Sequence, residues 1–211
     1  MMSLPFKQLV IASGNAGKIR EIQHILAPFD LKILPQSQFN VPECEEPFCT
    51  FVENALAKAR HASRHTGLPA MADDSGLCVN ALQGAPGVLS ARFAGKNPPN
   101  SLLTQDERNN DKLLHMMSSI SERHAHFYCV LVLVRHPEDP QPLIAEGVWQ
   151  GQILREYRGD GGFGYDPLFL DLKTDKTVAE LPLDIKSRIS HRGQALQKLL
   201  QKLERLSHES A

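Results

Sequence analysis

Cysteine is scarce in this sequence, and the few cysteines form no recognisable pattern. Cys44, Cys49, Cys78 and Cys129 include no CxxC pair and no doublet with the spacing of a metal site. The N-terminal segment does not have the pattern of a secretory signal. We therefore expect a cytoplasmic protein with reduced cysteines rather than a disulfide-stapled extracellular scaffold.

Long hydrophobic runs and an excess of one charge are also lacking. The longest apolar run covers only residues 127–134, whereas a membrane-spanning helix needs about 20 residues. The chain has 23 Lys and Arg residues against 24 Asp and Glu residues, which leaves no net field to attract a polyanion. The sequence therefore predicts no membrane insertion and no nucleic acid polymer as partner, and any anion must be bound at a local site.

What is present is the composition of an ordinary globular protein. The 211 residues are 42% hydrophobic and 22% charged, with no repeat and no low-complexity or linker-like stretch. This length is typical of one compact domain, which we expect to span residues 1–211.

The first part of the chain alternates strand and helix patterns. An apolar strand pattern at 8–12 is followed by the glycine loop 13–18 and by helically spaced apolar residues that end before Pro28. A second extended run is predicted at 31–34.

Capping residues mark two further helices. Thr50 and Glu53 form a capping box, and Gly67 stands where the C-terminal cap of that helix belongs. Thr104 and Glu107 form a second capping box that opens another helix.

Residues 70–82 predict a strand that carries two acids. We expect this strand to enter Asp73 and Asp74 and then to turn at Ser75 and Gly76. Both acids would then lie at a strand end.

The last part of the chain predicts a β-hairpin and a closing helix. Strand patterns at 127–134 and 143–154 are joined by a proline-rich turn, and Ser190 is the expected N-cap of the final helix. Early alternation of strands and helices with a late hairpin predicts an α/β fold with a mixed sheet covered by helices. The core-facing stripe of the final helix consists of Leu196, Leu199, Leu200, Leu203 and Leu206.

The segment SGNAGK at 13–18 has the placement of an anion loop. Because it follows a strand and opens a helix, its N–H groups and the positive end of the helix dipole would face a bound anion, and Lys18 adds a cation. It is not a Walker A loop, which would need Gly at position 12 and Ser or Thr at position 19. A plain strand-to-helix turn with an asparagine cap stays open as the alternative.

An acidic group offers hard oxygen ligands. Adjacent carboxylates such as Asp73 and Asp74 repel each other unless a cation neutralises them, and oxygen ligands select Mg²⁺. The same two residues are compatible with hydrogen bonds inside a turn. Glu45 and Glu46 by themselves are typical of an exposed loop.

Two later segments are rich in groups that recognise ligands. GDGGFG at 159–164 has the letters of a dinucleotide fingerprint, but Pro167 follows where that fingerprint needs a helix. The segment is compatible with a loop close to a ligand, with Phe163 for stacking, and with a plain surface loop. SHRG at 190–193 is compatible with binding an oxygen-rich ligand and with a simple capped helix start.

Six segments in one order carry a family resemblance over nearly the whole chain. They resemble those of the inosine triphosphate pyrophosphatase (Ham1-like) family, most closely its bacterial dITP/XTP pyrophosphatases. The segments are SGNAGK (13–18), FVENALAKAR (51–60), ADDSGL (72–77), GAPGVLSARFAG (84–95), GGFGYDP (161–167) and SHRGQAL (190–196).

The resemblance implies a fold and a reaction. The fold would be an elongated mixed β-sheet flanked by helices, in two lobes with a central cleft. The activity would be Mg²⁺-dependent hydrolysis of ITP, dITP or XTP to the monophosphate and pyrophosphate by a cytosolic homodimer.

The resemblance also assigns roles to residues. Asp74 would ligate Mg²⁺ or act as general base, and Glu46 would be the second metal ligand. The reaction itself also needs a cation for the charge that develops on the leaving pyrophosphate, and Lys18 would supply it. The triphosphate would lie at the loop 13–18, while the later residues would contact the nucleoside. The expected substrate-binding residues are Ser13, Gly14, Asn15, Ala16, Gly17, Lys18, Lys58, Ser75, Phe163, Gly164, Tyr165, Asp166, Lys186, His191 and Arg192.

Two other functions stay open. A nucleotide-binding regulator without turnover would keep the glycine loops but would not need an acidic group able to hold metal. A Maf-like pyrophosphatase would act on pyrimidine or modified nucleotides, whereas the SHRG and FGYD segments favour a purine enzyme.

Overall fold

A computed structural model describes residues 4–14 and 16–209 of the chain. Its strands are β1 (Gln8–Ile11), β2 (Lys32–Pro35), β3 (Ala70–Val79), β4 (His124–Val134), β5 (Leu143–Ile153), β6 (Phe169–Asp171) and β7 (Lys176–Thr177). Its α-helices are α1 (Ala16–Leu26), α2 (Phe51–Thr66), α3 (Gln105–Met116), α4 (Leu183–Ile189) and α5 (His191–Glu209). The strands form one sheet in the order β2-β1-β3-β4-β5-β6-β7.

The sheet is mixed, as the sequence predicts. Strand β1 pairs in parallel with both β2 and β3, whereas β6 pairs antiparallel with β5 and with β7. The expected hairpin strands β4 and β5 are neighbours in the sheet. The α/β class with helices flanking a mixed sheet is therefore confirmed. Within the described part of the chain, no helix combines the length and the apolar composition that spanning a bilayer requires.

The chain divides into two compact units. The first unit consists of residues 1–74, 129–147 and 192–211, and the second consists of residues 75–128 and 148–191. Strands β3, β4 and β5 each contribute residues to both units. That residues 1–211 act as one domain stays a prediction.

The first unit packs α5 and α1 against the parallel strands. Leu9 and Ile11 of β1 are fully buried beside Met71 of β3. In the predicted stripe of α5, Leu196, Leu199 and Leu203 are buried and Leu200 and Leu206 pack against them, which confirms that the stripe is core. Each fully buried leucine contributes about 1.5–3 kcal/mol to stability.

The second unit has an aromatic core. The ring of Phe127 lies 4.5 Å from that of Phe169 and 6.5 Å from that of Trp149, and Nε1 of Trp149 donates to Asp171 at 2.8 Å. Gly151 of β5 is required here, because a Cβ at this position would lie 2.4 Å from the carbonyl oxygen of Leu170.

The predicted capping residues Thr50, Gly67 and Thr104 stand at helix ends. The hydroxyl of Thr50 accepts from the N–H of Glu53, and Gly67 ends α2 in the left-handed conformation with its N–H bonded to Ser63. Thr104 and Glu107 form a complete capping box at the start of α3.

The predicted turn at Ser75 and Gly76 is wrong, and so is the placement of the acids at a strand end. Strand β3 continues to Val79, so Asp73 and Asp74 lie in its middle. The hydroxyl of Ser90 accepts from the N–H of Leu77 at 2.8 Å, and β3 pairs with neighbours on both sides. Pairing within the sheet therefore overrides the local turn propensity of the Ser-Gly pair.

Candidate active site

One face of strand β3 carries a cluster of buried charges around Asp73. Nζ of Lys18, from α1, donates to Oδ2 of Asp73 at 2.6 Å, and Nη2 of Arg192, from α5, donates to the same oxygen at 3.4 Å. Only 4% of the Asp73 side chain, 11% of Arg192 and 23% of Lys18 are exposed. Two cations therefore share one buried carboxylate.

The two cations control the ionisation of Asp73. Burial by itself would raise the pKa of this carboxyl, but Lys18 and Arg192 outweigh burial and hold the pKa well below its usual range. Asp73 therefore stays ionised and is a poor proton acceptor.

Asp74 points to the opposite face, because side chains alternate along a strand. Nδ2 of Asn54 donates to Oδ2 of Asp74 at 3.3 Å, and Nζ of Lys58 lies 3.2 Å from Oδ1. Asn54 and Lys58 are four residues apart on α2, so both reach the same carboxylate from one helix face. Nζ of Lys58 also lies 3.2 Å from Oε1 of Glu46.

The surroundings of Asp74 make it the more basic of the two aspartates. Burial raises its pKa and the nearby Glu46 adds to this rise, while Lys58 and Asn54 oppose it without cancelling it. Burial works against the charge on Lys58, yet Asp74 and Glu46 raise the pKa of this ammonium above its usual value. Lys58 therefore remains a cation between two carboxylates.

The donor set around Lys58 is compatible with a divalent metal. Glu46 and Asp74 each place a carboxylate oxygen beside Nζ of Lys58. Hard carboxylate oxygens around one cation are the kind of ligands that Mg²⁺ requires. Residues 4–14 and 16–209 contain no group of three or more His, Cys, Asp or Glu side chains that could hold a metal ion. A metal here would be held by two carboxylates, and Mg²⁺ usually completes such a site with water and substrate phosphate.

The structure favours Glu46 over its neighbour as the second acidic residue. The carboxylate of Glu46 is half-buried and pairs with Lys58. Glu45 is exposed, and its described contact is a backbone carbonyl that accepts from the thiol of Cys44.

The expected anion loop joins β1 to α1. Ser13 is half-buried and its N–H donates to the carbonyl of Ile11 at 2.9 Å, while a Cβ on Gly14 would meet nothing within 4 Å. Asn15 lies outside the described residues, and so do the side-chain surroundings of Ala16 and Gly17. Helix α1 begins at Ala16, so the second half of the segment 13–18 forms the first turn of this helix, and a helix N-terminus favours an anion.

The expected nucleoside-binding residues in the second unit form a connected group around Phe163. The ring of Phe163 is 59% exposed, and Nζ of Lys186 lies 4.6 Å from its centre. Lys186 also donates to Oδ2 of the buried Asp166 at 2.5 Å, and this oxygen accepts from the N–H of Phe163 at 3.0 Å. Gly162 has φ +82°, and a Cβ there would lie 2.1 Å from Oδ2 of Asp166, so this turn admits only glycine. As the sequence predicts, the chain continues from the GDGGFG segment through turns into β6 rather than into a helix.

The remaining expected residues lie in different surroundings. Tyr165 is buried in the core of the second unit, and its hydroxyl donates to the carbonyl of Ser90 at 2.8 Å. The ring of His191 stacks on Phe127 at 4.9 Å, whereas Arg192 belongs to the Asp73 cluster of the first unit. Ser75 is half-buried in β3 directly after Asp74.

Sequence reasoning missed the pairing of Asp73 with Arg192 and the full role of Asn54. The first pair is separated by 119 positions, so no local pattern could reveal it. Asn54 is fully buried and also bonds the backbone of Phe48 in both directions. The sequence signal that could have revealed this role is the spacing of four residues between Asn54 and Lys58, which places both on one face of α2.

Comparisons with known proteins find relatives that match nearly the whole chain. A profile of the Ham1 family matches residues 9–202. The dITP/XTP pyrophosphatase of Nitrosomonas europaea is 57% identical over 196 residues, which are 93% of this chain and 94% of that protein. The dITP/XTP pyrophosphatase of Neisseria meningitidis serogroup A is 53% identical over 96% of this chain and 99% of its own length.

Solved structures show the same fold. A HAM1 protein from Coxiella burnetii superposes with a TM-score of 0.89 at 48% identity, and the match covers 95% of this chain and all of that one. The Ham1 protein of Staphylococcus aureus gives a TM-score of 0.84 at 39% identity over 94% of this chain and 98% of its own. From the profile match, the identities and the shared fold, the chain belongs to the Ham1 family.

Proposed function

We propose that this chain hydrolyses non-standard purine nucleoside triphosphates, namely ITP, dITP and XTP, to the monophosphate and pyrophosphate with Mg²⁺, and so removes them from the nucleotide pool. The observation that carries the proposal is the position of Lys58 Nζ, 3.2 Å from both Glu46 Oε1 and Asp74 Oδ1. Two carboxylates around one cation position form the kind of site that metal-assisted attack on phosphate requires. The names of the relatives support the substrate class.

Glu46 and Asp74 would hold the metal ion. When bound, Mg²⁺ would polarise phosphate oxygens and make a water molecule more acidic. Hard carboxylate oxygens are the ligands that this ion prefers, and two of them leave room for phosphate and water.

The other charged residues would handle the proton and the leaving group. In the metal-free protein the pKa of Asp74 is raised and that of Asp73 is lowered, so Asp74 is the better proton acceptor of the two. Lys18 and the N–H groups after Ser13 would bind the triphosphate and stabilise the charge that develops on pyrophosphate. Lys58 supplies a further cation beside Asp74.

The nucleoside would be recognised by the residues after Gly162. Phe163 offers an exposed ring for stacking, which favours any base and therefore contributes affinity more than choice. Hypoxanthine and xanthine carry an oxygen acceptor at position 6, where adenine carries an amino donor. Donors from Lys186 and His191 would therefore favour the first two bases.

We also propose that the chain acts as a homodimer. Leu89, Leu102 and Leu103 are exposed large hydrophobic residues of the second unit, and such residues are common in subunit interfaces. Light scattering of the purified chain should give twice the mass of one 23.5 kDa chain.

The decisive experiment is a screen of nucleoside triphosphates that measures pyrophosphate and orthophosphate separately. We expect release of pyrophosphate from ITP, dITP and XTP, a much slower reaction with ATP, and no reaction in excess EDTA. Glu46→Gln should raise the Mg²⁺ concentration needed for activity, whereas Glu45→Gln is the matched control and should not.

Other results of this screen would overturn the proposal. Preference for pyrimidine nucleotides would indicate a Maf-like enzyme, and binding without turnover would indicate a regulator. Stepwise release of orthophosphate, or undiminished turnover in EDTA, would contradict the reaction itself.

A further inference from the structure

The loop that carries Phe163 is rich in glycine. Gly159, Gly162 and Gly164 all have positive φ angles, and Gly161 lies between them. Glycine loses more conformational freedom on folding than any other residue, so such a loop holds one shape only if other groups fix it. The ring of Phe163 is exposed and cannot be fixed by burial of its own surface.

Two contacts fix this loop from within the second unit. Asp166 bonds the N–H of Phe163 and is itself held by Lys186. These contacts hold Phe163 and Asp166. They do not involve Gly164, which lies between those two residues.

Helix α3 holds Gly164 by both of its backbone groups. The N–H of Gly164 donates to Oδ2 of Asp106 at 2.7 Å, and Nδ2 of Asn110 donates to the carbonyl oxygen of Gly164 at 2.8 Å. Asp106 and Asn110 are four residues apart, so they lie on the same face of the helix. Asp106 is exposed, whereas Asn110 is only 2% exposed.

The helix that carries this pair is itself well anchored. Its first turn has a complete capping box, and Asn109 bonds the backbone of Ser90, Ala91 and Ala94. Because Asp106 and Asn110 lie on a well-anchored helix, their hydrogen bonds hold Gly164 in a defined position. Contacts from a flexible loop would hold it less precisely.

We propose that Asp106 and Asn110 are positioning residues that clamp Gly164 and thereby set the Phe163 ring for the nucleoside. The proposal rests on the proposed function, because it assumes that Phe163 contacts the base. Both contacts of the clamp lie within the second unit, whereas Asp74 belongs to the first. Loss of the clamp should therefore weaken binding of the nucleoside and leave the chemistry at Asp74 unchanged.

The test compares product binding in three variants of α3. Asp106→Ala removes the acceptor, Asp106→Asn keeps an acceptor oxygen, and Asp111→Ala is the matched control. Asp111 lies on the same helix, but it accepts from the hydroxyl of Tyr157 instead of from Gly164. Calorimetry measures binding of IMP and of pyrophosphate to each variant, and steady-state kinetics with ITP separates KM from kcat.

We expect Asp106→Ala to weaken IMP binding and raise the KM for ITP by about 3- to 10-fold, with kcat and pyrophosphate binding within about twofold of the parent. Asp106→Asn should restore IMP binding, and Asp111→Ala should resemble the parent. Asn110→Ala should act in the same direction as Asp106→Ala. Because Asp106 is exposed, its variants keep the test valid even if the buried Asn110 substitution prevents folding.

Two results would overturn the clamp while the proposed function stands. The first is that Asp106→Ala binds IMP as tightly as the parent does. The second is that Asp106→Ala loses IMP binding and pyrophosphate binding equally, which would indicate a merely structural role. A parent chain that neither hydrolyses ITP nor binds IMP would overturn the proposed function and the clamp together.

Discussion

On one face of β3, Asp73 contacts two cations, Lys18 and Arg192, whereas on the other face Asp74 shares a single cation, Lys58, with Glu46. Both aspartates are buried, with 6% and 7% of their surface exposed. Their pKa values nevertheless shift in opposite directions, downward for Asp73 and upward for Asp74.

Burial acts to raise the pKa of both carboxyls, so the difference shows that the nearby charges decide whether that rise persists, as at Asp74, or is overcome, as at Asp73. Two cations for one carboxylate keep Asp73 ionised and make it a structural partner of Lys18 and Arg192. One cation for two carboxylates leaves Asp74 basic and leaves its pair with Glu46 able to accept more positive charge. One strand therefore carries a fixed charge on one face and a reactive group on the other.

Asp74→Asn should have the largest effect and should affect activity alone. We expect kcat for ITP to fall by at least about 10²-fold, because the amide keeps the shape but loses the charge and the basicity. A raised folded-state pKa stabilises the protein at low pH, and this contribution is lost as the pH rises through it, so ionised Asp74 costs stability at neutral pH. The melting temperature of Asp74→Asn in EDTA at neutral pH should therefore not fall.

Near-normal turnover of Asp74→Asn at saturating Mg²⁺ would place the chemistry on another acid. A marked loss of stability would mean that Asp74 is a structural residue like Asp73.

Asp73→Asn should lower the stability of the folded chain. The amide leaves Lys18 and Arg192 facing each other without their anion, which should cost about 2–3 kcal/mol. Thermal unfolding should show this as a melting temperature lower by roughly 5–10 °C. Asp30→Asn is the matched control, because Asp30 pairs with Lys7 at 3.0 Å on the surface and should contribute less than about 1 kcal/mol.

The same variant tests the direction of the pKa shift. A lowered folded-state pKa gives stability that is present above the usual pKa of an aspartate, about 3.9, and is lost as the pH falls through the folded-state value. The parent should therefore lose stability between about pH 4 and lower pH more steeply than Asp73→Asn. An equal loss of stability with falling pH in the parent and in Asp73→Asn would contradict a lowered pKa of Asp73.

Lys58→Met should have a smaller effect on stability, and the response of this variant to Mg²⁺ should test the metal site. Without the cation, Glu46 and Asp74 repel each other, and stability at neutral pH in EDTA should fall by about 1 kcal/mol. Protonation of the carboxylates at lower pH should recover part of this loss. Addition of Mg²⁺ should raise the melting temperature of Lys58→Met more than that of the parent, because the ion would take the place of the ammonium.

Lys7→Met is the control for this measurement, since it removes a lysine from an exposed pair. An equal response of the parent and Lys58→Met to Mg²⁺ would argue against a metal site between Glu46 and Asp74.

Much of the fold could be predicted because its signals are local. The capping residues at Thr50 and Thr104 lie within three positions of their partners, and the leucine stripe of α5 follows the helix repeat. The prediction of a turn at Ser75 and Gly76 was wrong because the signals that decide this segment are not local. Local propensity favours a turn there, but the partners that keep β3 extended come from distant segments.

The sequence by itself determined the order of strands β1 to β5 with helices α1 to α3, the closing helix α5, the family, and which residue types could bind metal and phosphate. It did not predict β7 or α4. Only the tertiary structure decided that Asp73 lies beside Lys18 and Arg192, whereas Asp74 shares Lys58 with Glu46. The physical reason is distance along the chain: Arg192 reaches Asp73 across 119 positions. A pKa depends on charges within a few ångströms in space, and folding alone brings those charges together.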